Sequence, residues 1–365
     1  MRYLLTFKPL KHFFFGNNKT FSDDYVAKSE YFPQNTQLLG ALRLFIAEQN
    51  NLMKVYKKGK WSNNPQKLKK LVGDKNSLGM IQNLSQMFIV DDNLKDAYFP
   101  TPFDINIQFD KGSSIMDDEG HIHIVNYPQR AYISYYELDN IDDEYFLNNY
   151  DVKKYSNQML GNHMFWNAYL NYDTKILNSL QHFEHKGNDL GVFIKHSQVG
   201  IELDDNKTTK EGQFYSKTDY TLRKGFLFGC VIELEEQIIN DGIITLGAEN
   251  SIFELKVHNL EDLEINLHPI VSQLFTTPKK SNKIVAISES FIDNTKDLKA
   301  YFTIAPFYKN FATIYKDKSK FKGKTVAQRL LPNGSVIYPK DDCILPKAQS
   351  IYQKIGYNQF IGVGK

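Results

Sequence analysis

The sequence predicts an α+β fold, and three features of it carry that prediction. Strand-period runs stand near both ends of the chain, two apolar stretches at most show helical spacing, and short alternating segments broken by Asp, Gly, Ser and Pro fill the middle. At 365 residues, and at roughly 100–200 residues per domain, the chain has room for about two domains with substantial cores.

The first segment, Tyr3 to Lys8, alternates Tyr3, Leu5 and Phe7 against Leu4, Thr6 and Lys8, the pattern of a half-buried strand inside a sheet. An aromatic loop follows at Phe13-Phe14-Phe15-Gly16. Pro33 and Thr36 then precede Leu38, Leu42, Phe45 and Ile46 at helical spacing, which predicts a first helix with Thr36 as its N-cap. Gly40 within it costs about 1 kcal/mol relative to alanine, so the helix is expected to lie close against another backbone. Residues 53–75 hold eight lysines and one aspartate around Tyr56 and Trp61, and are expected to form an exposed, mobile basic insertion.

Strands are predicted at Ile105 to Phe109, His121 to Val125 and Ala131 to Tyr135, and a second helix over Asn157 to Phe183. Further strands follow at Gly191 to Ile194, Phe226 to Leu234, Ile243 to Leu246, Ile252 to Val257 and Ile284 to Ile287, with a short helix over Ser288 to Ala300. The best border lies between Glu184 and Leu190, giving domains 1–187 and 188–365.

Composition excludes several classes. With 44 basic and 42 acidic residues the net charge names no partner. Two cysteines without CxxC spacing make neither a disulfide framework nor a zinc ribbon and suit a reducing, cytoplasmic setting. No apolar stretch is long enough to cross a bilayer, and the N-terminal residues are too poor in apolar side chains for a signal peptide, so no membrane partner is expected. Six Asp-Asp pairs sit in turn-like contexts, and His121-x-His123 and His182-x-x-His185 lack the further ligands that a zinc site needs. No metal site and no cofactor is therefore expected. Nucleophile-elbow, dinucleotide and metalloprotease motifs are missing. Lysines are interleaved with aromatics at 54–75 and again at 307–324, a pairing that suits single-stranded RNA and equally suits a solvated basic face.

Several segments in order resemble a known family. Phe14 to Phe21 is similar to its aromatic, glycine-containing first loop, and Phe32-Pro33 through Leu38-Leu39-Gly40-Ala41-Leu42-Arg43 to its proline-led first helix. Val199-Gly200-Ile201-Glu202-Leu203-Asp204, with Thr208 to Gly212 and Phe214-Tyr215 after it, is the most specific match. Leu246-Gly247-Ala248-Glu249, Asn333-Gly334-Ser335-Val336-Ile337 and Gly356-Tyr357-Asn358-Gln359-Phe360 complete the set. Together they resemble the third subunit of the Cmr effector, the type III-B CRISPR ribonucleoprotein, within the RAMP group. Gln198 and Lys19 stand where relatives tend to carry arginine, and Ala248 and Asn250 replace glycines.

The resemblance implies two ferredoxin-like (RRM-type) domains with inserted loops and a β-hairpin near 195–220. It implies a non-catalytic RNA-binding protein of antiviral defence that holds the repeat-derived 5′ tag of a crRNA, with the large Cas-ten-type subunit and the backbone RAMP subunit as partners. The implied RNA contacts are Phe15, Gly16 and Lys19 in the first loop, and Thr36, Gln37 and Arg43 in the first helix. In the hairpin His196, Gln198 and Tyr215 are expected near bases and Lys195, Lys207 and Lys210 near phosphates, with Gly356, Tyr357 and Gly362 at the C-terminal end. Arg43 and Glu249 are equally open to internal charge pairing. An alternative is a RAMP endoribonuclease that processes precursor crRNA without metal, with His12 or His196 as general base beside a tyrosine.

Overall fold

The computed structural model describes residues 1–16, 25–52, 65–74, 76–109, 113–116, 122–125, 128–133, 145–147, 159–171, 173, 183–184, 191–203, 209–278, 281–292, 300–305, 309–311, 314–317, 320–324, 328–340, 345 and 350–364. It is a mixed α+β structure, mostly strands with few helices. The chain forms two compact units, Met1–Lys95 with Gly187–Asn266, and Asp96–Lys186 with Leu267–Lys365. They differ from the consecutive halves expected at 187/188. The reason is the N-terminal strand: Arg2–Pro9 takes both its neighbours from far along the chain, pairing Leu5 with Cys230 on one side and with Val257 on the other.

In the first unit the antiparallel order is Phe88–Asp91, Phe226–Leu234, Arg2–Pro9, Ile252–Asn259, Gly242–Thr245, with Ile81–Leu84 also paired to Phe226–Leu234. Arg2–Pro9 is central in this sheet, and its residues Tyr3 to Phe7 are buried on both faces rather than on one as expected from its alternation. Fully burying each such apolar side chain contributes about 1.5–3 kcal/mol. The helix Asn35–Gln49 buries Leu38, Leu39, Leu42, Phe45 and Ile46, as its spacing predicted. Its N-cap is Gln34, whose backbone N–H donates to Gln37 Oε1 at 3.3 Å, so Thr36 lies inside the first turn. Among the described residues nothing lies within 4 Å of where a Cβ on Gly40 would stand, so none of their backbones accounts for it. Of the basic insertion, 53–64 and Lys75 lie outside the described residues, while Pro65–Val72 is a helix that buries Leu71 and Val72.

In the second unit the sheet order is Tyr145–Leu147, Ala300–Ile304, Val336–Pro339, Lys283–Ala286, Phe360–Val363. Its core gathers Ile284, Ala286, Leu331, Ile337 and Phe360. Within the stretch expected as a helix over 157–183, Leu160–Gly161 is instead a strand and His163–Leu170 a helix, with Asn162 as N-cap accepting from the Phe165 N–H at 3.1 Å, while 157–158, 172 and 174–182 lie outside the described residues. Gly161 lets the Phe165 ring pack onto this strand, because a Cβ there would stand 2.1 Å from the ring. The expected helix at 288–300 begins instead as a strand, Ser290–Ile292, paired with Gln328–Leu331.

Asp104, Lys283 and Tyr169 form a buried polar cluster in this unit. Lys283 Nζ lies 2.9 Å from Asp104 Oδ2, the Tyr169 hydroxyl donates to Asp104 at 2.9 Å, and the ammonium sits 4.3 Å above the Tyr169 ring centroid.

Candidate nucleic-acid interface

The site is built on a long antiparallel hairpin of the first unit, Phe193–Leu203 with Thr209–Leu222, whose return strand pairs in parallel with Tyr25–Lys28. Register sets its chemistry. His196 pairs with Asp219 and Gln198 with Lys217, and the period of two puts these four on one face, while Lys195 and Ser197 belong to the other. Lys195 is thus separated by the pleat from the base-directed residues with which it was grouped. Val199 is 74% exposed, so this stretch of the hairpin projects from the core.

On the polar face the His12 ring stacks on His196, with centroids 3.6 Å apart and planes at 14°. His12 Nδ1 stands 3.5 Å from Asp219 Oδ1, and Lys217 Nζ is 3.3 Å from Asp219 Oδ2 while also paired with Glu249. Lys217 further lies 5.4 Å from the centroid of the Phe14 ring. Burial opposes the charge on Lys217, and the carboxylates of Glu249 and Asp219 more than offset it, leaving its pKa raised. His196 is pushed below the usual histidine value by burial and by His12, against the pull of Asp219.

The loop that carries His12 is anchored on both sides. Phe13 and Tyr220 exchange backbone hydrogen bonds at 2.8 and 3.2 Å, and Ala248 N–H donates to the Phe14 carbonyl at 2.9 Å. Gly247 has φ +94°, and a Cβ there would meet the Phe14 oxygen at 2.7 Å, so the close approach of the turn to the loop requires glycine.

The remaining site residues divide clearly. Phe15 is fully buried, stacked at 6.1 Å on Phe253 and tilted against Phe13, which corrects its assignment as an RNA contact: its ring is core. Arg43 Nη2 donates to the carbonyls of Asp74 and Ser77 at 3.0 and 2.7 Å, the internal one of its two readings. Glu249 likewise pairs internally, with Lys217. Thr36 and Gln37 are half-buried in the first helical turn, and Gly16 is half-buried with nothing near its Cβ position. Gln198 and Lys195 are exposed on opposite faces of their strand. Tyr215 pairs with Gly200, and Lys210 follows Thr209 in the return strand. Lys19 and Lys207 lie outside the described residues.

In the second unit Tyr357 is buried among Phe291, Phe311 and Tyr352, so it too is a core residue rather than an RNA contact. Gly356, at φ +91°, ends the helix Ser350–Lys354, and Gly362 pairs with Ile284 inside the sheet. Among the late basic residues, Lys316 and Lys320 to Lys324 fall on a hairpin, Ile314–Asp317 with Lys320–Lys324, whereas Phe307, Tyr308 and Lys318 lie outside the described residues. Phe311 is core.

Sequence reasoning missed Asp219, Lys217 and the partnership of His12 with His196. These meet only through strand register and one loop bridge, which no local spacing encodes. Among the described residues no group of three or more His, Cys, Asp or Glu could hold a metal ion, and no helix is long and apolar enough to cross a membrane.

A family model described as CRISPR-associated protein (Cas_Cmr3) matches residues 5–365. No curated protein sequence matches. Among solved structures, a chain of a type III-B Cmr-beta complex bound to cognate target RNA and AMPPnP is similar at 17% identity and a TM-score of 0.46, over 99% of this chain and 96% of that one. A chain of the Csm3-Csm4 subcomplex of a type III-A CRISPR-Cas interference complex is similar at 13% identity and a TM-score of 0.44, over 96% of each.

Proposed function

The chain belongs to the Cas_Cmr3 family of CRISPR-associated proteins, and from that premise we propose that it is a non-catalytic RNA-binding subunit of a type III-B CRISPR effector. It holds the repeat-derived 5′ tag of the crRNA as a single strand and bridges the large Cas-ten-type subunit to the backbone RAMP subunits, acting in antiviral defence in the cytoplasm. In the same reading both units follow a ferredoxin-like plan. What supports this for the first unit is the central N-terminal strand in an antiparallel sheet and the helix Asn35–Gln49 on it, with Phe45 packed against Gly242.

The observation that carries the RNA reading is the projecting hairpin. It exposes Lys195, Ser197, Gln198 and Val199 while its base is locked by Phe193 and Tyr220 in the aromatic core. Lysine on one face neutralises phosphates, and the polar other face is left for bases. Lys195→Ala, measured in RNA binding against salt, flattens the slope by about 0.7 if that lysine contacts one phosphate of a single strand. An unchanged slope removes Lys195 from the interface.

The His12–His196 pair also bears on the endoribonuclease alternative. Rings stacked at 3.6 Å leave no room for a phosphodiester between them, so the two histidines do not flank a ribose phosphate, and the alternative comes down to one of them as general base beside a tyrosine. Repeat RNA incubated with the purified chain in EDTA should stay intact. Cut product would favour the endoribonuclease reading over the non-catalytic one.

A further inference from the structure

We propose that the half-exposed ring of His12 is a stacking platform for an unpaired nucleobase of single-stranded RNA, with His196 as the ring beneath it. The inference rests on the RNA-binding reading above and assigns it a residue that neither the lysine pattern nor the resemblance singled out as a base contact.

Three constraints hold the His12 ring before any ligand arrives. One face lies on His196 at 3.6 Å, the Nδ1 edge points at Asp219, and the backbone beside it is pinned by the Phe13–Tyr220 bridge. The side chain is nevertheless 45% exposed although His196 covers one face, so a large part of the remaining ring surface meets solvent. A ring fixed in this way loses little further freedom on binding, which is the condition under which aromatic contacts contribute most.

The arrangement is kept at a cost to the fold. Asp219 is 3% exposed and, among the described residues, its Oδ1 accepts no hydrogen bond beyond the 3.5 Å approach of His12 Nδ1 and His196 Nε2 is buried without a hydrogen-bond partner. Buried polar atoms left unsatisfied destabilise a fold, so a simpler apolar pair here would serve stability better. A carboxylate and two imidazoles stand here instead, where they orient a ring.

Local charge selects a base over a phosphate. Among the described residues the charged groups beside the pair include Asp219 and Lys217 on the return strand and Glu249 on the adjoining turn, while Lys195 lies on the opposite face of the hairpin. One ammonium, Lys217, stands against two carboxylates, Asp219 and Glu249, a balance that disfavours phosphate and leaves an aromatic face unaffected. Stacking is also tolerant of base identity, since every base has a π-face.

The test uses the full chain and a single-stranded oligoadenylate RNA carrying 2-aminopurine, whose fluorescence is quenched on stacking. His12→Ala is expected to weaken binding roughly 5- to 150-fold and to abolish the bound-state quench, with the salt slope unchanged because no phosphate contact is lost. His12→Phe is expected to bind within about threefold of the wild type, because a π-face is restored. His12→Leu, which fills the space without that face, should behave as alanine does and guards against a loosened loop. Wild-type affinity and quench in His12→Ala and His12→Leu overturn the proposal, as does His12→Phe binding as weakly as alanine. A wild-type chain that binds no RNA overturns the RNA-binding reading itself, a distinct result.

Discussion

Replacing Asp104 by asparagine tests the energetics of the second unit most sharply. Asp104 is 1% exposed and faces the Lys283 ammonium at 2.9 Å, with the Lys283 side chain only 2% exposed. Asparagine keeps the shape and an oxygen for Tyr169 but leaves a buried ammonium facing a neutral amide. Breaking a buried pair on one side costs about 3–5 kcal/mol, against a usual total stability of about 5–15 kcal/mol. At roughly 2–4 °C per kcal/mol for a unit of this size, Tm should fall by roughly 6–20 °C. The cation–π contact at 4.3 Å survives and sets the lower end of that range. The assay is urea unfolding followed by tryptophan fluorescence in a Trp61→Phe background, where buried Trp166 reports on its own unit. Adding Lys283→Met to Asp104→Asn should recover at least about 1 kcal/mol, since the double variant buries no ammonium. A loss below about 1 kcal/mol in Asp104→Asn, with no recovery in the double variant, would refute the claim that this pair is a closed, desolvated unit.

Other expectations follow from single positions. Gly40→Ala should stabilise the chain by about 1 kcal/mol in denaturant unfolding, because the helix gains propensity and the new methyl meets nothing; a loss would mean that something closely approaches that face. Gly247→Ala should cost about 1–3 kcal/mol, from its positive φ and the clash with the Phe14 carbonyl, and should weaken RNA binding by loosening the His12 loop. His268 is buried with its pKa pushed down to about 3, first by desolvation and then by His163. Its unfolded value near 6.5 is higher, so the unfolded state binds the proton first, and stability is whole above pH 6.5 and lost at up to about 1.4 kcal/mol per pH unit as pH falls toward 3. His268→Phe should flatten that stretch of a pH–stability curve, and an unchanged curve would count against the burial.

Strand-by-strand, much of the fold was legible. Phe226–Leu234, Ile252–Asn259 and Gly242–Thr245 sit within two residues of where alternation and turn residues put them, because both signals are local. Within 157–183 the described residues are helical only over His163–Leu170, and the aromatic and Leu-rich spacing could not register that Leu160–Gly161 pairs as a strand under the Phe165 ring. Domain borders failed for a related reason: the partners of Arg2–Pro9 lie more than two hundred residues away, and nothing within the strand names them.

The candidate site was legible as a segment and not as a constellation. The hairpin was visible from the Val199 to Tyr215 stretch, but which of its side chains share a face depended on pairing His196 with Asp219. Phe15 and Tyr357 were misjudged because an aromatic beside a glycine in a loop has one spelling, whether it stacks on a base or fills a core. Burial decides between the two, and burial is a property of the whole fold.

The central claim, that this chain works as an RNA-holding subunit of a CRISPR effector, is tested most directly by purifying the tagged chain from its native host, sequencing the RNA that comes with it and identifying the accompanying proteins. The account predicts small RNAs sharing one repeat-derived 5′ end, together with a large Cas subunit and a backbone RAMP subunit. Recovery of the chain without such RNAs and without either subunit would contradict it.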